Sequence, residues 1–273
     1  MITYKVLTTN EEMEIVQQLE HAVWGTSPIP THQTLTAVKH GGTVIGAFDG
    51  DKIVGFSYGF AGFENGKVSL CSHMLGILPE YRELGIGAEL KQQQKQLSVK
   101  IGYERMTWTY DPLQTRNAYL NLTKLHGVCD TYIEDCYGKM DDGLNAGLPS
   151  DRFQIDWWIT SDYVNHFVKK EYDKPTVLAS WAYNDQHVPY CDDEYFMKIT
   201  DFDKESYLIP VPADITSLKE QDLAVAIDWR LKTRTIFKTL FQNGYTAIEL
   251  VKTKDKPVHY YLLVPKNKLN IPQ

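Results

Sequence analysis

The chain has 273 residues, of which 43% are hydrophobic and 23% are charged, so it can bury one large core or two smaller ones and is not a disordered chain. Because 35 acidic residues outnumber 28 basic ones, giving a net charge of −7, we expect no nucleic-acid partner. The absence of a signal peptide, of an apolar run near ~20 residues and of any C-x-x-C pair predicts a cytoplasmic protein with reduced thiols, no membrane partner and no bound metal.

In the first part of the chain, hydrophobic periodicity predicts alternating strands and helices. The predicted strands are 1–9, 43–48, 52–60, 68–78, 106–110, 128–137 and 153–159. The predicted helices are 10–24, capped by Asn10, then 31–40, then 88–101 with Leu90, Gln94, Leu97 and Ile101 facing inward, and 116–125, which Gly127 ends. A hairpin turn is expected at 64–66 and a loop at 139–149. This order indicates a mixed sheet with helices on its faces.

The remainder of the chain has its own, weaker pattern. Residues 161–172 and 217–243 are predicted to be helical, and four segments are predicted to be strands: 177–182, 207–211, 245–251 and 259–264. The last two strands should form a hairpin. We therefore predict one domain over residues 1–160 and a smaller α/β region over residues 161–273.

The most informative segment follows the strand that ends near Leu78. Pro79 is followed by Arg82-x-x-Gly85-x-Gly87 and then directly by a helix. Unpaired N–H groups at a helix start, glycines that let the backbone approach closely, and a nearby cation together form an anion site. A plain strand–helix turn is the alternative. A dinucleotide-binding loop would need a third glycine where the chain has Leu90.

In these residues the chain resembles the GNAT acyltransferase superfamily. Arg82, Gly85 and Gly87 match its pyrophosphate loop, and Asn117 and Gly127 match the helix after the next strand. The resemblance covers roughly residues 1–160, and its finer marks suggest a less-studied branch: Ser72–Gly76, Thr109–Leu113, Arg116–Ala118 and Gly147–Phe153. It implies an α/β (α+β) fold with a mixed, splayed central sheet flanked by helices. The C-terminal region would be a degenerate GNAT-like half that caps the acceptor site or mediates a homodimer.

The resemblance also implies a reaction. The chain would transfer the acyl group of acetyl-CoA, or of succinyl-CoA or another acyl-CoA, to an amine by direct attack in a ternary complex. The acidic composition favours a small-molecule amine such as an amino acid. A module that senses acyl-CoA without turnover is the alternative. The implied CoA-binding residues are Leu75, Gly76, Ile77, Arg82, Glu83, Leu84, Gly85, Ile86, Gly87, Ala88, Asn117 and Asn121.

Candidate catalytic residues follow from the same comparison. Strand alternation predicts His73 on one face with Cys71, Leu75 and Ile77, and the family places a catalytic carboxylate at the position of Cys71. His73 is thus the candidate base, with a buried histidine bonded to a carbonyl as the alternative. The family's usual acidic tyrosine is Thr123 here, which leaves Tyr110 and Tyr119 as weak substitutes.

Several charged residues have more than one interpretation. Asp111 would hold the acceptor's ammonium group or orient His73, or it would only form the turn before Pro112. Asp151 and Arg152 would form a surface pair or face the acceptor. Arg230 and Arg234 are expected on a solvated helix face, with carboxylate binding as the alternative.

Overall fold

The structure, a computed structural model, describes residues 1–25, 27–64, 66–138 and 146–272. Asn65 of the predicted hairpin turn and residues 139–145 of the predicted loop lie outside this part. The chain forms two compact units: Met1–Trp108 with Trp158–Ser161, and Thr109–Trp157 with Asp162–Gln273. The domain boundary predicted after residue 160 stays a prediction.

The first unit contains three helices and a mixed sheet. The strands are β1 (Ile2–Val6), β2 (Thr43–Asp49), β3 (Lys52–Glu64), β4 (Lys67–Ile77) and β5 (Met106–Tyr110, whose last two residues belong to the second unit). The helices are α1 (Asn10–Trp24), α2 (Thr31–Lys39) and α3 (Ile86–Ile101). The strands follow one another in the order β1-β2-β3-β4-β5, antiparallel except for the parallel β4–β5 pair.

Two apolar clusters hold this unit together. α1 contributes Met13, Val16 and Leu19 to a cluster with Phe56 and Tyr58 of β3 on one face of the sheet. α3 contributes Ile86 and Leu90 to a second cluster on the other strand face. The sheet is therefore covered on both sides, as its continuous apolar strands require.

The ends of two helices differ in detail from the predictions. The cap of α1 is Thr9, not Asn10: its hydroxyl accepts the Glu12 N–H at 3.3 Å, and the Glu12 carboxylate accepts the Thr9 N–H at 3.0 Å. On α3, Leu90 and Gln94 are buried as predicted, but Ile101 is exposed because the helix ends there, at Gly102.

The second unit also combines a sheet with helices. Its strands are β6 (Val128–Ile133), β7 (Arg152–Trp157), β8 (Thr176–Val177), β9 (Ser180–Tyr183), β10 (Pro189–Asp192), β11 (Tyr207–Pro212), β12 (Tyr245–Val251) and β13 (Val258–Pro265). Its helices are α4 (Thr115–Ala118), α5 (Asp162–Asn165), α6 (Ile215–Gln221) and α7 (Leu223–Gln242). The sheet order is β7-β6-β12-β13-β11-β8, and β9 and β10 pair separately. The predicted mixed α/β class is confirmed.

Three predictions for the later chain are wrong in their extent. Residues 161–172 form only the short α5, which has no buried residue to stabilise a longer helix. Residues 177–182 divide between β8, which pairs with β11, and β9, which pairs with β10. The helix predicted over 217–243 is interrupted at Asp222, whose extended backbone and side chain cap the next helix at the Val225 N–H.

The segment after α4 is wound more loosely than predicted. Residues Tyr119–Lys124 form a π-helix, and the Gly127 N–H donates to the Asn121 carbonyl at 2.9 Å. Thr123 is tied to β12, because its hydroxyl and the backbone of Leu250 exchange bonds of 3.2 and 3.0 Å. The helix predicted over 116–125 is therefore present over residues 115–124, but its second part is π-helical.

The second unit contains one buried ion pair and one that is partly buried. Arg230 of α7 is fully buried, and its Nη2 lies 2.6 Å from both carboxylate oxygens of Asp111. Arg234, one turn later, holds Asp151 through Nε at 2.8 Å and Nη2 at 2.9 Å. The predicted solvated arginine face and the surface pair of Asp151 with Arg152 are both wrong. Each charge finds an internal partner distant in sequence.

We expect Arg230→Met to lower the free energy of unfolding by about 3–5 kcal/mol, because it leaves the Asp111 carboxylate buried without its cation. Urea denaturation measures this loss. The double variant Arg230→Met with Asp111→Leu should recover much of it. The control Lys198→Met removes the exposed pair with Glu194 and should change stability by about 0.5 kcal/mol or less. Equal losses of stability in Arg230→Met and Lys198→Met would contradict a structural role for the buried pair.

Candidate functional site

The loop between β4 and α3 turns sharply through two left-handed residues. A 3-10 turn at Pro79–Tyr81 follows β4, after which Glu83 has φ of 72° and Gly85 has φ of 79°. A left-handed conformation costs a residue with a Cβ roughly 1–2 kcal/mol, so Glu83 is held there by its surroundings. The loop delivers the chain directly into the first turn of α3.

The start of α3 offers backbone donors without side-chain acceptors. Gly85 is its N-cap and makes no side-chain cap bond, and the Glu89 N–H bonds back to the Gly85 carbonyl at 3.2 Å. The N–H groups of Ile86, Gly87 and Ala88 precede that bond and lie at the positive end of the helix dipole. A Cβ on Gly87 would lie 3.2 Å from the Ile77 Cδ1, which explains a glycine where helix and strand approach closely.

Arg82 brings a cation to this loop. Its Nε donates to the Ile77 carbonyl at 3.3 Å, which anchors the guanidinium beside the end of β4. The residue is exposed, as are Glu83, Leu84 and Gly85. The arrangement of one anchored cation and several free N–H groups suits a phosphate.

Strand β4 leaves one of its edges open beside this loop. Within the described residues, β4 pairs with β5 only at Leu70–Met106 and Cys71–Thr107. Its other edge is bonded to β3 as far as Leu78, whose N–H donates to the Val54 carbonyl at 3.0 Å. Because N–H groups alternate along a strand, Gly76 faces β3, whereas the N–H groups of Leu75 and Ile77 face the open edge. The predicted splay of the sheet is present here.

A β-bulge interrupts the alternation of β4. Tyr58 pairs with Met74 but Phe60 pairs with Cys71, so Ser72 and His73 together oppose Gly59. A Cβ on Gly59 would lie only 2.9 Å from the Cys71 carbonyl oxygen, so this position requires glycine. The sequence analysis missed the bulge, and Gly59 within a strand pattern was the available signal.

The bulge changes the face on which His73 lies. Leu75 and Ile77 pack with α3, whereas the His73 ring lies against Tyr58 and Phe60, at centroid distances of 6.3 and 5.6 Å. The prediction that these residues share a face is wrong. His73 is exposed, makes no hydrogen bond to another described residue, and has a pKa lowered from 6.5 by burial of part of its ring.

The candidate acids of the second unit are already engaged there. Asp111 accepts the Leu113 N–H at 2.8 Å besides pairing with Arg230. The Tyr110 hydroxyl lies 3.2 Å from that of Tyr261, and burial, together with Tyr261, raises the pKa of Tyr110 well above its ordinary value. Tyr119 has the Lys252 ammonium 4.0 Å from its ring centroid.

Asn117 and Asn121, four residues apart within the predicted helix, lie in different surroundings. Asn117 is exposed in α4, whereas Asn121 is buried in the π-helix. The π-helical turn between them alters the spacing that the prediction assumed. Their roles in binding CoA stay predictions.

Two searches of the described residues concern other site types. They contain no group of three or more His, Cys, Asp or Glu side chains arranged to hold a metal ion. None of their helices combines the length and apolarity needed to cross a membrane.

The sequence profile of the acetyltransferase (GNAT) family matches residues 10–122. No curated protein sequence matches the chain.

Similar solved structures cover only part of this chain. The ribosomal-protein-S18-alanine N-acetyltransferase from Escherichia coli is 14% identical, with a TM-score of 0.46 over 58% of this chain and 94% of its own. A structure of yncA from Salmonella typhimurium with acetyl-CoA is 12% identical, with a TM-score of 0.46 over 64% of this chain and 99% of its own. A GNAT-family acetyltransferase from Streptococcus pneumoniae is 12% identical, with a TM-score of 0.46 over 57% and 98%.

The loop geometry and the profile match lie on the same residues, from Arg82 to the start of α3. The match to the GNAT acetyltransferase family thus covers residues 10–122 of this chain, the part that contains this loop.

Proposed function

We propose that this chain transfers the acyl group of an acyl-CoA, acetyl-CoA in the first instance, to the amine of a small molecule such as an amino acid. The observation that carries the proposal is the continuity of the open edge of β4 with the anion-binding loop. A thioester held along that edge would have its pyrophosphate at the start of α3. The match of residues 10–122 to the GNAT acetyltransferase family supports the same reaction class.

Acyl-CoA, the co-substrate, supplies an activated carbonyl carbon and a thiolate leaving group. The N–H groups of Ile86, Gly87 and Ala88 would bind its pyrophosphate, with Arg82 adding charge from the strand end. The uncapped first turn of α3 fits this role, because no described side chain accepts a hydrogen bond from its N–H groups. The Leu75 and Ile77 N–H groups are the donors placed to stabilise negative charge on the carbonyl oxygen.

His73 is the proposed base. An amine attacks a thioester only when it is unprotonated, so a neutral acceptor of its proton is needed. His73 meets that need because it is exposed and its pKa is lowered from 6.5. Asp111 and Tyr110 stay secondary proposals, since each already has a partner inside the second unit.

The proposed acceptor class rests on charge. A net charge of −7 disfavours polyanionic acceptors and is compatible with a free amine that becomes cationic in water. Thr123, which occupies the position of the usual acidic tyrosine, is bonded to β12. An acyl-CoA sensor without turnover is the competing proposal that this substitution favours. Under our proposal, the CoA thiolate leaves without a tyrosine at this position.

One experiment separates these proposals. Purified protein is titrated with acetyl-CoA, succinyl-CoA and CoA by calorimetry, and free thiol is then followed with each acyl-CoA and a panel of amino acids. Binding with amine-dependent thiol release is the result we expect. Binding with no release under any acceptor would favour the sensor, and no binding by folded protein would refute both.

Arg82→Ala should weaken acetyl-CoA binding about 10-fold, because a charge-assisted contact to phosphate contributes about 1.5 kcal/mol. The matched control is Lys100→Ala, which removes one exposed cation from the opposite end of α3. Calorimetry compares the two. If both variants bind like the wild type, Arg82 does not contact the pyrophosphate.

His73→Gln should lower kcat/KM about 100-fold or more, the range that a general base contributes. The lowered pKa of His73 places its protonation below pH 6.5, so the wild type should lose activity as the pH falls through that region. This limb should be missing from the variant's profile of kcat/KM against pH. His32→Gln, an exposed histidine on α2, is the control and should retain the wild-type profile. If His73→Gln still loses activity at low pH as the wild type does, the titrating group is not His73.

A further inference from the structure

A fully buried lysine lies on α3 beneath the proposed site. Lys91 is 2% exposed, its Nζ donates to the Ser72 hydroxyl at 2.8 Å, and the same Nζ lies 3.5 Å from the ring centroid of Trp108. No carboxylate forms an ion pair with it in the part of the chain that the structure describes. The ammonium is thus held by one hydroxyl and one aromatic face.

The hydroxyl is the start of a buried chain of polar side chains. Ser72 donates to the Gln94 Oε1 at 2.6 Å, and the Gln94 Nε2 donates to the Thr43 hydroxyl at 3.0 Å. All three residues are buried, at 3% exposure or less. Because the Ser72 hydroxyl donates its single hydrogen to Gln94, its oxygen is left to accept the hydrogen bond from Lys91.

The location of Lys91 coincides with the parting of two strands. β4 and β5 are hydrogen-bonded at Leu70–Met106 and Cys71–Thr107, and the next residues on each strand are Ser72 and Trp108. These two residues are the ones that Lys91 contacts. The ammonium therefore joins β4 to β5 at the point where their backbone ladder stops, and it does so through a residue of the bulge that also contains His73.

We propose that Lys91 is a positioning residue for acyl transfer: by holding Ser72 and Trp108 together, it fixes the bulge and the open edge that carries the Leu75 and Ile77 N–H groups. The inference rests on the proposed function. A buried unpaired charge is unfavourable, and an apolar residue of similar volume would stabilise the core at least as well. The presence of lysine here therefore indicates a role beyond packing.

The groups around Lys91 leave its charge uncompensated. Burial lowers the pKa of Lys91 from 10.5 to about 7, while the Cys71 thiol of β4, whose own pKa is raised by burial, acts in the opposite direction. On α3, Lys95 lies one turn further along and has a pKa lowered by burial. β2 presents Thr43, β3 presents Gly59 beside Gln94, and residues 106–108 of β5 include no ionisable side chain. Near neutral pH, Lys91 is consequently divided between ammonium and amine.

The test compares Lys91→Met and Ser72→Ala with the control Lys95→Met, using acetyl-CoA and a mixture of the proteinogenic amino acids. We expect both test variants to bind acetyl-CoA within about threefold of the wild type, because the loop is untouched. Their kcat should fall about 10- to 100-fold, the loss that a small misplacement of reacting groups produces. The double variant should lose little more than Lys91→Met alone, because removing Lys91 already breaks its contact with Ser72. Lys95→Met should keep the wild-type kcat.

The pH profile separates positioning from packing. The ratio of wild-type kcat to that of Lys91→Met should be largest below pH 7, where Lys91 is an ammonium group, and should shrink as the pH rises to about 9, where it is an amine. Ser72→Ala is a smaller change and keeps the test valid if Lys91→Met does not fold. Circular dichroism checks the folding of both variants. Wild-type turnover that Lys91→Met retains at every pH would overturn this inference alone. Absence of amine-dependent thiol release from the wild type would instead refute the proposed function, and this inference with it.

Discussion

The parting of β4 from β5 after two ladder pairs is the constraint on which the first unit depends. A strand inside a sheet ordinarily satisfies both of its edges, so an interior strand with one edge open must be stabilised by something other than ladder bonds. Here the bulge at Ser72 and His73, the tight approach of Gly59 and the side chains of α3 hold β4 in place. The loop that leads into α3 can then begin where the strand ends, because Ile77 is fixed by β3 on one side and its carbonyl accepts from Arg82 on the other.

The two units stabilise their internal charges in different ways. In the second unit, the buried Arg230 and the partly buried Arg234 each have a carboxylate partner, so both charges are compensated by direct contact. In the first unit, the described contacts of the Lys91 ammonium are with a hydroxyl and an aromatic ring, which stabilise a cation less. This contrast explains why the pKa of Arg230 is raised above its ordinary value by Asp111 despite its burial, whereas the pKa of Lys91 is lowered.

The sequence predicted those features whose causes are local. Arg82, Gly85 and Gly87 could be read as a strand-to-helix loop, because a left-handed turn and an uncapped helix start have requirements within a few residues. The face of His73 could not be read, since one extra residue opposite Gly59 reverses the alternation. Nor could the partner of Arg230, which lies 119 residues away at Asp111. The π-helix at Tyr119–Lys124 could not be predicted either, because its sequence fits an ordinary α-helical period equally well.

The open edge of β4 also bears on how this protein avoids aggregation. Unpaired strand backbone is a template for the addition of a foreign strand, which proteins usually prevent with charges, prolines or short edges. Here the edge is protected by its position: β5 closes one end of the gap at Cys71–Thr107, and Pro79 with the exposed Arg82 follows the other end. The gap thus spans only the six residues from Ser72 to Ile77, about the length of one average strand. If this edge promotes aggregation in cells, variants that lengthen or expose the gap should be less soluble than the wild type. A ligand that fills the gap should restore their solubility.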